Sequence, residues 1–527
     1  MKHLTKAMAF YLLAFCGHAV VAQTAIPPTG SMSAVASLHR DQIKLQGVSV
    51  YDASELLDHA IQKIASSGQL IDLQNISETI RDIYREDGYF LAHSDYHLLA
   101  TGAEIRVSEG KIFKIEVSGF DAALSNRIVR IVSSASGHGP VRLHDFERGI
   151  MLAKDLSGVR LSSEFVADDE GRDVLRMTGN AVKHRGSLTL DNLPRNWGEG
   201  IYGVLTEEVY STLTPGDMVR LNLLPSMDFN KRWNGLYGTL TYRAPLNDQG
   251  LYGEFLAGSG LTRNRYTGPN QTPSNSWQRT NLATALLGYP IVRDVHSFIY
   301  TLSQVDYFGL SGSETVINDS TTTVLRQTLT YSHSSSQGQS TKLSLTASGG
   351  THRMQGTASN PAHTNGDAHF THLRLGAGII TPLDKLSAGL GLRLEGSAQY
   401  TRNSLPSVEN YFIGDRTRLR GYGYAEVIGD SGYAATAELS QFIHLGKPYL
   451  DSVSPFIFLD VGSVKQKRAI PGSLVNQAHL TSIGVGFQTA SRERLSMRFW
   501  YGVPLTSIPN GTQAHSPAVW LQLTQAW

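Results

Sequence analysis

Cysteine is nearly missing: the 527 residues hold one, Cys16, inside the first apolar stretch. Once that stretch is removed, disulfides are excluded, so an exported chain of this kind must be held by something else. Charge of one sign is missing too. Lys+Arg 46 against Asp+Glu 45 leaves a net charge of +1, which excludes a global electrostatic pull toward nucleic acid or an acidic surface. No apolar run comfortably reaches the roughly 20 residues that a membrane-crossing helix needs. H-E-x-x-H, a paired Cys ligand set, a Walker loop and a dinucleotide fingerprint are all absent, and the eighteen histidines are scattered. No metal site and no cofactor are therefore expected, and no enzyme activity.

What is present begins with Lys2 and Lys6 ahead of the apolar run Ala7 to Val21, closed by Val20-Val21-Ala22. This is the pattern of a secretory signal peptide, residues 1–22, with cleavage expected after Ala22. Leu13-Ala14-Phe15-Cys16 is similar to a lipoprotein cleavage site, but the bulky Phe15 argues for an ordinary signal. Residues 23–40, with Pro27-Pro28, read as a flexible lead-in.

The next segment repeats itself. Ile43-Lys44-Leu45-Gln46-Gly47 recurs as Ile115-Glu116-Val117-Ser118-Gly119, and Ile105-Arg106-Val107 as Leu175-Arg176-Met177, offsets of 72 and 70 residues. Two similar domains follow, 41–112 and 113–185. In the first, Asp52 and Glu55 form an N-cap and N3 pair, and Leu57, Ile61 and Ile64 line one helix face. Ile76, Ile80 and Ile83 line a second helix, and strands at Phe90–Leu99 and Glu104–Ile112 complete a β-α-α-β-β unit. The second unit repeats the order: Phe113–Phe120, helices near Asn126–Ser133 and Leu143–Asp155, then strands Val159–Ala167 and Asp173–Gly179.

From residue 186 to 527 helical periodicity disappears. Sixteen alternating segments begin near Gly186, Ile201, Asp217, Trp233, Gly250, Thr280, His296, Thr321, Ser340, Ala368, Lys385, Gly432, Ser454, His479, Glu493 and Ala518. A sandwich, a propeller and a membrane barrel all fit such a series. The barrel is favoured by apolar residues at positions expected to face outward, as in Phe298-Ile299-Tyr300-Thr301-Leu302 and Met497-Arg498-Phe499-Trp500-Tyr501, and by the lack of a blade-length repeat. The closing strand, with Leu521, Leu523 and terminal Trp527, resembles the assembly signal of bacterial outer-membrane barrels, in which Phe is the usual last residue. Gly429-Asp430-Ser431-Gly432 matches the nucleophile segment of chymotrypsin-like proteases over four residues, and its place between a glycine-rich loop and a strand marks it as a turn.

Arg416, Arg418 and Arg420 alternate, as if on one face of an extended segment. They lie in the long connection at about 402–431 between the eleventh and twelfth segments, the sixth extracellular loop if the barrel starts from the periplasm. There Leu419-Arg420-Gly421-Tyr422 resembles the V-R-G-Y/F loop tip of the POTRA-barrel superfamily, and Phe458-Leu459-Asp460-Val461-Gly462 resembles its F-x-D-x-G wall strand. With two repeats and sixteen strands, the chain resembles the outer-membrane transporters of two-partner secretion, the hemolysin and hemagglutinin exporters.

That resemblance implies α+β periplasmic POTRA-like repeats followed by an all-β 16-stranded antiparallel transmembrane barrel. It implies a translocation pore in the bacterial outer membrane for one large, unfolded exoprotein of hemolysin, adhesin or toxin type. Outer-membrane lipid and the barrel-assembly machinery are its other partners, and nucleic acid is not one. A barrel insertase of the same superfamily is the alternative, and a small-solute channel or receptor the second. The resemblance also pairs Arg420 with Asp460 in the lumen, where a guanidinium needs a carboxylate; lumen water is expected to screen the pair. Arg416 and Arg418 have no motif support and read as solvated loop or lumen lining. The partner is expected to add a strand along the second repeat's edge at Val159, Leu161 and Ser163. The family's plug helix is not expected here, because only about 18 residues separate Gln23 from the first strand.

Overall fold

Residues 39–193, 200–228, 232–266, 274–312, 319–355, 366–468, 476–507 and 516–527 are described by a computed structural model of the chain. The signal segment, Cys16 and the position at which a plug helix would fall lie outside these residues. The chain divides into two compact units, with the border running through the second repeat.

The first repeat is β1 (Ile43–Gln46), α1 (Ala53–Ser67), α2 (Leu73–Glu86), β2 (His93–Leu99) and β3 (Gly102–Ser108). Its sheet has the order β1-β3-β2, with β1 parallel and β2 antiparallel to β3. The Asp52 carboxylate opens α1 by accepting from the Ser54 and Glu55 amides at 2.9 and 3.0 Å, and Gly68 closes it at φ 72°. Leu57, Ile64, Ile76, Ile80 and Ile83 are buried in one core with Ile105, and Ile61 packs at its border.

Both later strands are shorter than expected. β2 starts at His93 because Tyr89 and Ala92 bond back into a turn (Tyr89 N–H to Tyr84 carbonyl, 2.8 Å; Ala92 N–H to Tyr89 carbonyl, 3.0 Å). β3 stops at Ser108 because the next side chain, Glu109, turns inward. Its carboxylate accepts from the Ser49 amide (2.6 Å), the Val50 amide (2.8 Å), the Tyr84 hydroxyl (2.7 Å) and the Ser49 hydroxyl.

Burial pushes the Glu109 carboxyl up, but these donors outweigh it and hold the group below its ordinary 4.5. The ionised form is thus favoured by folding: its contribution is complete above the unfolded value and is lost as pH falls through the depressed folded one. Glu109→Gln should cost the repeat about 2 kcal/mol, in the range of a bond to a charged group. Amide-exchange protection of Ser49 and Val50 should fall on acidification below about pH 4.5 in the parent chain and be low and pH-independent in the variant. Equal protection in both would show that the carboxylate does not hold this corner.

The second repeat is β4 (Lys114–Ser118), α3 (Ala122–Ser136), α4 (Leu143–Lys154), β5 (Val159–Ala167) and β6 (Asp173–Ala181). Its sheet order, β4-β6-β5, leaves β5 at an edge. Within the larger unit, arginines of both helices reach barrel turns. Arg127 donates to the Pro245 carbonyl (3.0 Å), Arg130 meets Asp248 (3.0 Å), and Arg148 donates to the Pro290 carbonyl (3.0 Å). Arg293 of the barrel pairs with Asp155 at 2.7 Å.

The barrel strands are β7 (His184–Leu193), β8 (Gly200–Tyr210), β9 (Met218–Asp228), β10 (Trp233–Pro245), β11 (Tyr252–Tyr266), β12 (Ser274–Arg293), β13 (Ser297–Gly312), β14 (Asp319–Ser334), β15 (Ser340–Gln355), β16 (His369–Pro382) and β17 (Leu390–Thr401). After the long connection, which holds the short pair β18 (Tyr411–Ile413) and β19 (Val427–Gly429), come β20 (Ser431–Gln441) with its continuation β21 (Ile443–Lys447), β22 (Leu450–Lys465), β23 (Gln477–Ala490), β24 (Leu495–Pro504) and β25 (Ala518–Ala526). Every neighbouring barrel pair is antiparallel, and β25 meets β7 to close a 16-stranded barrel. Closure satisfies every strand edge, the condition for a sheet to stand in lipid.

The outer face is apolar along alternate positions, as at Leu373 and Leu375, Ile457 and Leu459, and Ile483 and Val485, all exposed. Met497, Phe499 and Tyr501 face outward as expected, because Arg498 and buried Trp500 take the inner positions. Phe298, Tyr300 and Leu302 do not. They share the parity of buried Asp306, while Val305 and Tyr307 are exposed on the other side. Their inward apolar surface meets the second repeat's helix end: the Tyr300 hydroxyl donates to Asp155 at 2.8 Å. No helix among the described residues is long and apolar enough to cross a membrane.

Candidate functional site

The long connection folds back among inward-facing side chains of the barrel. Its tip is not extended. The Asp415 carboxylate accepts from the amides of Thr417 and Arg418 at 2.5 and 2.6 Å, and the Gly414 amide donates to the Arg418 carbonyl at 3.0 Å. Leu419 then takes φ 57°, a left-handed conformation that costs a non-glycine residue about 1 kcal/mol. The alternation of the three arginines therefore does not place them on one face. Arg416 reaches Asp191 of β7 and the Tyr202 hydroxyl of β8. Arg418 lies over the rings of Phe412 (5.0 Å) and Tyr411 (5.2 Å), with Asp415 at 3.8 Å. Arg420 turns to β20 and β22.

Arg420 holds Asp460 through three donors: Nη2 to Oδ1 at 2.9 Å, Nε to Oδ2 at 3.1 Å, and its own amide to Oδ2 at 2.9 Å. Its Nη1 bonds Glu438, its Nη2 also reaches Thr436 Oγ1 at 2.7 Å, and the guanidinium lies 3.6 Å from the centre of the Phe458 ring. Thr436 stands directly opposite Asp460 in the β20–β22 register, so both point inward together. The expectation of a screened pair is corrected: Arg420 is 3% exposed and Asp460 0%, because Phe458, the tip itself and the barrel wall exclude water from the contact.

The other motif residues interlock around that pair. A Cβ on Gly462 would stand 2.6 Å from the Leu419 side chain, and one on Gly421 2.6 Å from Ser482 Cβ. Each glycine is there so that tip and wall can approach. The Tyr422 hydroxyl lies 2.9 Å from the Thr481 carbonyl and 2.8 Å from that of Thr506, and Trp520 of the last strand donates its indole N–H to the Arg420 carbonyl at 2.9 Å.

A second anchor was not visible in the sequence. Glu409, fully buried on the leg of the connection before β18, accepts from Arg326 (2.5 and 2.9 Å), His372 (2.8 Å) and Arg374 (3.2 Å). Arg326 is also paired with Asp306 at 2.6 Å. Polarity is reversed here: the wall supplies the cations and the loop the carboxylate. Arginine at the inward positions 326 and 374 of otherwise uncharged strand stretches is the signal that would have pointed to it. Asp430 and Ser431 of the protease-like tetrapeptide have structural roles: Asp430 accepts from the Leu405 and Lys467 amides at 2.6 Å each, and Ser431 bonds the Thr401 backbone.

The family model described as haemolysin secretion/activation protein ShlB/FhaC/HecB matches residues 307–489, the span that carries both anchors and both motifs. The chain is similar to the transporters of two-partner secretion. Over 496 residues it is 24% identical to the hemolysin transporter protein ShlB of Serratia marcescens, covering 91% of this chain and 84% of that protein. Its fold is that of CdiB from Escherichia coli (TM-score 0.72, 18% identity, 95% of this chain and 93% of that one) and of CdiB from Acinetobacter baumannii (TM-score 0.66, 15% identity, 92% and 89%). The barrel lies in the bacterial outer membrane, with the repeats in the periplasm. The insertase reading is less well supported than this one.

Leu521 and Leu523 face outward from the closing strand and Trp527 follows it, its amide donating to the Gly186 carbonyl at 3.0 Å. Val159, Leu161 and Ser163 lie on the edge strand β5, all half-buried, with Arg160 and Ser162 exposed between them.

Proposed function

We propose that the chain is a secretion transporter and carries one large exoprotein of hemolysin, adhesin or toxin type, in unfolded form, from the periplasm through the barrel to the cell surface. The observation behind this reading is the loop tip buried in the barrel, with Arg420 on Asp460, inside the span that the secretion family matches. Arg420, Gly421 and Tyr422 on the tip and Phe458, Asp460 and Gly462 on the wall hold the loop in place; none of them performs chemistry. Export needs no catalytic step and no nucleotide, since folding of the cargo outside biases its direction. Outer-membrane lipid surrounds the barrel, and the cell's barrel-assembly machinery reads the strand ending at Trp527. The first check is genetic: deletion of the transporter should strand a very large exoprotein, encoded beside it, in the periplasm.

Cargo capture is assigned to the edge of β5, where an extended segment adds a strand. Proline removes one backbone donor, and alternate residues of an edge strand point their N–H groups outward and inward. Leu161→Pro and Ser163→Pro test one parity and Ser162→Pro the other. One parity should lower secreted cargo about tenfold with barrel levels unchanged. Undiminished secretion from all three variants would remove this edge as the docking site.

A further inference from the structure

The two loop anchors and Arg416 engage β14, β16, β20, β22, β7 and β8, and none of these contacts falls on β9–β12. Arg326, Ser348, His372 and Thr401 stand opposite one another across β14–β17, and each is less than a tenth exposed. Asp460 and Ser482, opposite one another on β22 and β23, are fully buried. Across β9–β12 a row of the same kind, Asn222, Thr239, Gly258 and Leu282, also faces inward, and each member is only half-buried.

That row carries no ionisable side chain. Its polar groups bond sideways along the wall: Thr206 Oγ1 to Asn222 Oδ1 at 2.9 Å, and Asn222 Nδ2 to Thr239 Oγ1 at 3.0 Å. The nearest cation on the same wall, Arg220, is neutralised by Glu208 at 2.6 Å. An unpaired charge in a narrow lumen would hold every passing segment of opposite sign and repel every one of its own. The row's hydroxyl, amide, glycine and leucine do neither, and further along the same strands inward Arg243 stands opposite Glu254, so the charges of this wall come as neighbours of opposite sign and its charge character matches a cargo of mixed sequence.

We propose that the exported polypeptide passes as an extended strand along the β9–β12 wall, on which none of the loop's anchoring contacts falls. This rests on the export reading above and adds to it which arc of the barrel the cargo touches.

The natural chain has no cysteine after residue 16, so single thiols can be read without background. Full-length transporter carrying Thr239→Cys, Leu282→Cys, Ser348→Cys or Ser482→Cys is placed in planar bilayers under a KCl gradient and exposed to a cationic methanethiosulfonate. The probe polypeptide is an unfolded Gly/Ser chain with interspersed Lys and Glu, added on the periplasmic side. Thiols at 239 and 282 should react and shift the K⁺/Cl⁻ permeability ratio at least threefold toward chloride, while those at 348 and 482 stay unreacted. A bulky maleimide adduct at 239 should reduce current blocks by the probe at least tenfold. Reaction at 348 and 482 but not at 239 and 282 would overturn the proposal, as would unchanged probe blocks with the adduct in place. If the probe never blocks the unmodified transporter although ions flow, the export reading itself fails, and the lane as a polypeptide path falls with it.

Discussion

Removing Leu521 to Trp527 should leave no heat-modifiable barrel in outer-membrane fractions. The pairing that closes the barrel runs from Gln522↔Asp191 to Ala526↔Ser187, and this deletion takes away all of it. β7 and the greater part of β24 would then present bare strand edges to lipid, where each unsatisfied backbone group costs several kcal/mol. The seam has little in reserve: beyond the ladder it holds the backbone exchange between Trp527 and Gly186, which the deletion also removes, and side-chain bonds such as Asn192 Nδ2 to the Val519 carbonyl at 2.8 Å and the Leu521 amide to Asn192 Oδ1 at 2.7 Å. Trp527→Phe keeps an aromatic end and should assemble at near-normal level. Normal amounts of folded barrel from the truncated chain would contradict the closed architecture.

Arg420→Ala should cut secretion at least tenfold. The substitution strands Asp460, at 0% exposure, without its cation, and breaking one side of a buried pair costs about 3–5 kcal/mol. The tip also loses what offsets the left-handed Leu419, so the loop should leave its seat and single-channel recordings should become noisier. Asp460→Ala acts on the same contact but leaves Glu438 to hold the guanidinium, so it should be the milder of the two. In the double variant the loss should be little worse than for Arg420→Ala alone, because the second change removes a group that has already lost its partner. Strictly multiplicative losses in the double-mutant cycle on secreted cargo would show two residues acting independently, against the geometry of the site. Exchange of the charges, Arg420→Asp with Asp460→Arg, should restore little, since Glu438 would then face an aspartate.

Barrel and repeats were legible because they follow from periodicity, and periodicity is local. Trp233, Ser340 and Ala518 begin their strands at the expected residue. β12 starts earlier than Thr280, at Ser274, where polar residues on both faces leave no alternation to read. β17 starts later than Lys385, at Leu390, because Leu383 bonds across a turn to Leu390 at 2.7 Å. Phe298, Tyr300 and Leu302 were given the wrong face for a related reason: where a helix covers the barrel mouth, the inner side is apolar too, and hydrophobicity no longer separates in from out. The Arg420–Asp460 contact could be anticipated only through a resemblance, and even then Glu438 and Thr436 went unseen, although strand register places Thr436 opposite the aspartate. Glu409 carries no local mark at all. Its partners come from β14 and β16, brought side by side only by their register across β15.

The make-up of the two anchors bears on how the transporter tolerates its traffic. Each anchor carries both signs: Arg420 lies on Asp460 and Glu438, with Arg498 beside the latter, and Glu409 lies on Arg326 and Arg374, with Asp306 beside the former. A charged segment beside the loop therefore meets a neutralised cluster at either end, whichever sign it bears. Because the two clusters lie on different strands, losing one leaves the loop moored at the other, and release needs both to open together.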